Sequence, residues 1–261
     1  MPVVLGLQAE RASRFWDDWY AEANSLEVDR GSAEASEWFC SAHCVIEELL
    51  PRLSAVPRSV LELGCGLGSL SEAMHDALSQ DALVDVQVTG VDVSSAAVDA
   101  CQQRNASQRR CGLNFQVADC TNLPFEPGSF DLVLDKGTSD TLQFRARTAE
   151  SKDLRAQLFG EVFRVLRPGG VYAAVSPKAT LKQLRLPSTR WASVHRCTLL
   201  PSSQQQKTKA LFAGNQAETR VVYLHLAKKP MDGGFEEQRR HIASQDVQCP
   251  ACSMCRLPRY R

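Results

Sequence analysis

The chain has 261 residues, 44% of them hydrophobic, enough to build the core of one α/β domain. Thirty basic and thirty acidic residues cancel, so no overall field draws the protein to nucleic acid or to a membrane surface. No apolar run reaches the about 18 residues of a spanning helix, and the ten cysteines, scattered through an α/β pattern, read as reduced thiols rather than a disulfide framework.

In chain order, Met1 to Glu10 lacks the charged start and long apolar run of a secretory signal, while Arg11 and Arg14 leave a short organellar presequence open. Trp16, Trp19, Tyr20, Trp38 and Phe39 make residues 1–50 an aromatic front segment. It either folds over a bound ligand, offering ring faces to a cation, or packs on the sheet as an amphipathic helix. Trp16 and Tyr20 are assigned to the ligand, and the other three to packing.

Val60 to Leu63 reads as a first strand that enters Gly64-Cys65-Gly66-Leu67-Gly68 and then a helix over 69–78. Glycines let backbone pass close beneath a nucleotide, and the helix start offers it free N–H groups. A dinucleotide fingerprint needs its third glycine where Ser69 stands. Glu62 would repel a pyrophosphate, whereas it attracts the cationic amino group and sulfonium of S-adenosylmethionine.

A second strand, from Val88, ends in Asp92-Val93, where an acid can accept ribose hydroxyls or cap the next helix, expected over 96–110. The third strand, Leu113 to Ala118, ends in Asp119-Cys120, placing Asp119 for the adenine amino group or for a turn. The fourth is Phe130 to Asp135. Apolar residues at 154, 158, 159, 162, 163 and 166 predict a helix, stopped by Arg167-Pro168-Gly169-Gly170. Strands follow at 171–175, 191–200 and 220–227, with a mobile hairpin loop expected over 201–217.

The order of these motifs resembles the class I, seven-strand S-adenosylmethionine-dependent methyltransferases over residues 14 to 229, with the domain proper at 51–229. The resemblance implies a Rossmann-like, mostly parallel seven-stranded sheet with helices on both faces and an antiparallel last strand. Asp135-Lys136-Gly137-Thr138-Ser139-Asp140-Thr141-Leu142 is similar to the D-K-G-T-x-D-x-L signature of a subgroup of protein lysine methyltransferases acting on elongation factor 1-alpha and citrate synthase. Phe15-Trp16-Asp17-Asp18-Trp19-Tyr20 and Glu37-Trp38-Phe39 resemble that subgroup's front end. Where the subgroup often has G-C-G-N-S and D-A-L, this chain has Gly64-Cys65-Gly66-Leu67-Gly68 and Asp140-Thr141-Leu142.

The expected activity is therefore methyl transfer from S-adenosylmethionine to a lysine of a protein substrate, such as a translation factor or metabolic enzyme. Trp16, Tyr20, Glu62, Gly64, Cys65, Gly66, Gly68, Asp92, Val93, Asp119, Cys120 and Asp135 are expected at the donor. Methyl transfer needs alignment and a dry site rather than a protein nucleophile. A lysine acceptor, with a reference pKa near 10.4, must however lose a proton. Lys136 can depress the acceptor's pKa or pair with Asp131, Asp135 or Asp140, and Asp135 can orient the acceptor amine or the donor's amino group. A small-molecule methyltransferase, and a donor-binding partner protein without turnover, are the alternatives. The segment 230–261 reads as a flexible tail whose Cys249, Cys252 and Cys255 lack a fourth ligand for a closed zinc site. No metal, nucleic acid or membrane partner is expected, and the protein is read as a cytoplasmic monomer.

Overall fold

In a computed structural model, residues 13–21, 37–80, 85–145, 149–185, 190–199 and 221–231 are described. Seven strands form one sheet: β1 (Ser59–Leu63), β2 (Gln87–Asp92), β3 (Leu113–Val117), β4 (Phe130–Lys136), β5 (Leu166–Ser176), β6 (Ser193–Leu199) and β7 (Val222–Lys228). The order is β3-β2-β1-β4-β5-β7-β6. The strands from β3 through β5 are mutually parallel, and β7 runs antiparallel to both neighbours. The antiparallel last strand is thus as expected, wedged between β5 and β6.

The helices are α1 (residues 13–21), α2 (Ala42–Leu49), α3 (Ser69–Leu78), α4 (Ser95–Gln108), α5 (Thr138–Arg145) and α6 (Ala149–Val165). Side chains alternate across each strand, so two cores form. Val60, Val88, Leu132 and Leu134 join α2, α3 and α4 on one face, and Leu61, Leu63, Val91 and Val133 join α5 and α6 on the other. Burial on both faces explains why the central strands read as nearly unbroken apolar runs.

Two boundaries depart from expectation. Helix α6 starts at Ala149, before the first predicted apolar position, and stops at Val165; strand β5 begins at Leu166 and carries Arg167-Pro168-Gly169-Gly170 within it. The β4 pairing shifts register between Phe130 and Leu132, an irregularity that tolerates a proline without an N–H. Gly169 and Gly170 instead bond Lys229, Gly169 N donating to its carbonyl at 3.1 Å and Lys229 N donating to Gly170 O at 2.8 Å. Helix α5 was not anticipated; its sequence Thr-Ser-Asp-Thr-Leu-Gln-Phe-Arg has little apolar period. The expected loop at 201–217 and the cysteine-bearing tail lie outside the described residues. No described helix is long and apolar enough to cross a membrane.

Candidate active site

The chain leaves β1 towards β2 and β3, then returns to place β4 on the other side of β1. In such a sheet, ligands bind outside the carboxyl ends of the strands at this switch point. The turn after β1 is built there with left-handed backbone at Gly64 (φ 59°) and Gly66 (φ 52°). A Cβ on Gly64 would overlap Thr138 Oγ1, and one on Gly66 would lie 2.7 Å from the Tyr20 hydroxyl. Thr138 Oγ1 donates to Leu63 O at 2.7 Å, which pins α5 against the end of β1. Helix α3 starts at Gly68 with no side-chain cap, so its first N–H groups remain available to a ligand.

Asp92 closes the other side of this cradle. Its Oδ2 accepts from Gly66 N and its Oδ1 from Ser94 N, each at 2.9 Å. Burial raises its pKa above the usual carboxylate value against these bonds, and each oxygen retains acceptor capacity for a hydroxyl. Cys65 and Cys101 hydrogen-bond thiol to thiol, and that bond, together with burial, pushes Cys65 well above an ordinary thiol. Cys101 Sγ also donates to Gly66 O at 3.4 Å. These thiols brace the turn.

Glu62, 2% exposed, is covered by Ser71, whose hydroxyl donates to it. Burial lifts its pKa to about 7, with Ser71 and the positive charge of Lys136 opposing the rise. Lys136 Nζ in turn donates to Cys40 O at 3.3 Å and lies 3.7 Å from Glu37 Oε1. Glu37 also accepts from Ala42 N, capping α2. Lys136 is therefore held by Glu37 and the Cys40 carbonyl, with its charge felt at Glu62, a pairing the sequence did not suggest.

Asp135 and Lys136 are neighbours that the pleat sends to opposite faces. Asp135, 1% exposed, sits on the α5–α6 side, where Tyr172 Oη donates to it at 2.6 Å and Ser139 N at 3.2 Å. Burial raises its pKa against these bonds. Its present task is to hold the start of α5. Asp119 accepts from Thr121 N and Oγ1 at 2.8 Å in a tight turn, with Cys120 half-buried beside it and Val93 half-buried after β2.

The front segment reaches the cradle. Tyr20 stands over Gly66, and burial followed by the charge of Asp92 raises its phenol pKa well above 10. Trp16 stacks on Tyr20 with ring centroids 5.9 Å apart and touches Trp38 at 6.0 Å. Sequence reasoning missed Asp17, whose Oδ1 accepts from Ser94 Oγ at 2.6 Å and from Ala96 N at 3.1 Å. It caps α4 from another helix, and these bonds hold its carboxyl below the usual range against burial. It also missed Thr138 and the Lys178–Asp140 ion pair at 2.5 Å. The signature run contained Thr138 and Asp140, but only the fold shows what they face. Among the described residues no cluster of His, Cys, Asp and Glu suits a metal.

The glycine cradle, the uncapped helix start and the acid after β2 fit a nucleoside with a cationic side arm. They make a site of the kind that holds a methyl donor. The chain belongs to the methyltransferase domain family, whose model matches residues 57–223, and its cofactor is S-adenosylmethionine. It is 39% identical over 117 residues to the Danio rerio eEF1A lysine and N-terminal methyltransferase, covering 45% of this chain and 15% of that one. It is 31% identical over 175 residues to the Danio rerio mitochondrial citrate synthase-lysine N-methyltransferase, covering 62% and 65%. The chain thus spans less than two thirds of the length of either relative. Among solved structures it is similar to a chain of the complex between the Haloferax volcanii Trm112 methyltransferase activator and a methyltransferase. That match has a TM-score of 0.54 and 17% identity, covers 82% and 97% of the two chains, and shows the fold alone.

Proposed function

We propose that the protein methylates a lysine side chain of a protein substrate. The observation that carries this reading is that two relatives with unlike acceptors, one named for eEF1A and one for citrate synthase, share this chain's domain. When bound, the donor supplies a methyl group on a sulfonium, which a neutral amine takes in line, leaving a thioether. Gly64, Gly66 and the start of α3 would hold its polar end, Asp92 its ribose, and Asp119 with Cys120 its base. Tyr20 and Trp16 cover the cradle and exclude water.

The remaining residues set charge and position. Lys136, paired with Glu37, favours the ionised form of Glu62 through its charge, and that carboxylate would then face a cationic ligand. Asp135 positions α5 through Ser139. The acceptor must enter from the β4–β5 side, because α1 covers the β1–β2 side.

The test incubates purified protein and radiolabelled S-adenosylmethionine with cell extract, beside an Asp92→Ala control, and maps labelled peptides. A discrete protein band that is lost in the control and carries a methylated lysine is the expected result. Label confined to small molecules would overturn the lysine reading and point to the small-molecule alternative.

A further inference from the structure

Asp140 is the buried acid that the donor cradle leaves unused. It lies in the first turn of α5 and is 3% exposed. Its Oδ1 meets Lys178 Nζ at 2.5 Å, while its Oδ2 is shut off from solvent and has no hydrogen-bond partner among the described residues. Leaving a carboxylate oxygen in that state is costly, and a site kept at such a cost is one that a further donor can complete.

The pair spans the carboxyl ends of β4 and β5. Thr138, two residues before Asp140, closes over Gly64, so the start of α5 that carries Asp140 borders the turn after β1 on the β4 side, across the switch point from Asp92. The two partners are anchored differently. Asp140 is enclosed, whereas the Lys178 side chain is a third exposed. The Lys178 backbone is held independently, its N–H donating to Ser176 Oγ at 3.1 Å and its carbonyl meeting His225 Nε2 at 2.8 Å. Its ammonium can therefore swing into water while the backbone stays in place.

We infer that Asp140 is the docking carboxylate for the acceptor's ammonium group, which passes one proton to that carboxylate before the neutral amine takes the methyl group, and that Lys178 is an internal stand-in which a substrate lysine displaces. This rests on the lysine reading above and adds to it the residue that recognises the acceptor. An ammonium on a four-carbon stem is the same group in Lys178 and in a substrate, so the niche that takes one takes the other, and the unpartnered Oδ2 gives the newcomer a second bond. An internal competitor is always present at high effective concentration. A free amine is rejected, and a protein whose flanking residues add contacts is accepted.

The test is a series of acceptor concentrations, using the labelled protein band as substrate, with Lys178→Met, Asp140→Asn and the wild type, alongside S-adenosylhomocysteine affinity by calorimetry. Lys178→Met is expected to lower the acceptor KM about tenfold, the scale of one competing charged contact. Asp140→Asn is expected to cut kcat/KM about 100-fold through loss of a charge-assisted bond, with product affinity within about twofold in both variants. n-Butylammonium should compete with the acceptor in Lys178→Met at concentrations about tenfold below those needed in the wild type. An acceptor KM that stays level or rises in Lys178→Met overturns the inference, as does full activity in Asp140→Asn. Asp140→Asn that loses product affinity as well assigns Asp140 a purely structural role and also overturns it. A wild type that labels no lysine overturns the lysine reading itself. Labelled lysine with an unmoved KM overturns only the role of Asp140.

Discussion

The two sides of the switch point are made from different materials. On the β1–β2 side the site is mostly backbone: a left-handed turn at Gly64 and Gly66, an uncapped start of α3, and two carboxylates, Glu62 near the end of β1 and Asp92, which is tied to two main-chain N–H groups. On the β4–β5 side it is mostly side chains that meet across the fold: Lys136 with Glu37, Asp135 with Tyr172, Asp140 with Lys178. Backbone geometry suits a ligand that never changes, such as the methyl donor. Side-chain pairs suit one that differs between enzymes, because they can be exchanged without rebuilding the turn. That division matches relatives named for unrelated protein substrates.

The sharpest way to break the donor side is Gly64→Ala. The new Cβ would overlap Thr138 Oγ1 and force a left-handed residue to carry a side chain. Left-handed backbone costs about 1–2 kcal/mol and overpacking about 1–3. A loss of about 3 kcal/mol in denaturant unfolding, with no thermal stabilisation by S-adenosylhomocysteine, is expected. A variant that binds the product normally would mean that the turn does not hold it.

Glu62 sharpens the comparison through pH. Its folded pKa of about 7 lies above the 4.5 of an ordinary glutamate, so its neutral form is favoured in the empty site. Its contribution to stability is complete below pH 4.5 and lost as pH rises through 7, amounting to on the order of 3 kcal/mol. The ammonium of the amino-acid arm, which donor and product share, prefers the ionised form. Product affinity should then rise about tenfold between pH 6 and 8, and Glu62→Gln should flatten both profiles. An unchanged slope in Glu62→Gln, read by calorimetry and by urea unfolding at each pH, would remove Glu62 from the account.

The same division explains what was legible in the sequence. The donor side lay within short runs: Glu62 to Gly68 around one turn, and Asp92 at the end of one strand. Local order was therefore enough to bring these residues to one turn, and the alternation of apolar segments was enough for the sheet. The β4–β5 side depends on partners far apart in the chain. Lys136 bonds a carbonyl 96 residues away, and Lys178 meets Asp140 across 38. Asp131, Asp135 and Asp140 were the nearby candidates for Lys136, yet its partner is Glu37, brought in by α2. Helix α5 was hidden for a related reason. Its register is set by Asp135 holding Ser139 N and Thr138 holding Leu63 O, not by an apolar stripe. Pro168 and Gly169 look like breakers, but they mark an irregularity inside β5 rather than a gap before it.

Tyr172→Phe tests whether the β4–β5 side is an independent unit. It removes the 2.6 Å bond to Asp135 and leaves a buried carboxylate with fewer donors. The expected cost is about 2 kcal/mol, in the range for hydrogen bonds to charged groups. Acceptor turnover should fall as α5 loosens, while product affinity holds. Equal losses on both sides would join the two halves into one.

Asp17→Ala is the smallest and most selective break. Asp17 bonds the start of α4 from α1, and its removal leaves Ser94 to cap α4, as it already does through Ala97 N at 3.2 Å. A trans cap of this kind is worth about 1 kcal/mol. Global stability should therefore change little, because α1 lies outside both cores. The effect belongs instead to closure over the donor, since Tyr20 reaches Gly66 only while α1 stays docked. Product dissociation should quicken about fivefold with an unchanged association rate, read by stopped-flow tryptophan fluorescence, for which Trp16 beside Tyr20 is the reporter. Slower association in place of faster release would mean that α1 shapes the entrance rather than the cover. The backbone cradle would then bind the donor without help from the front segment.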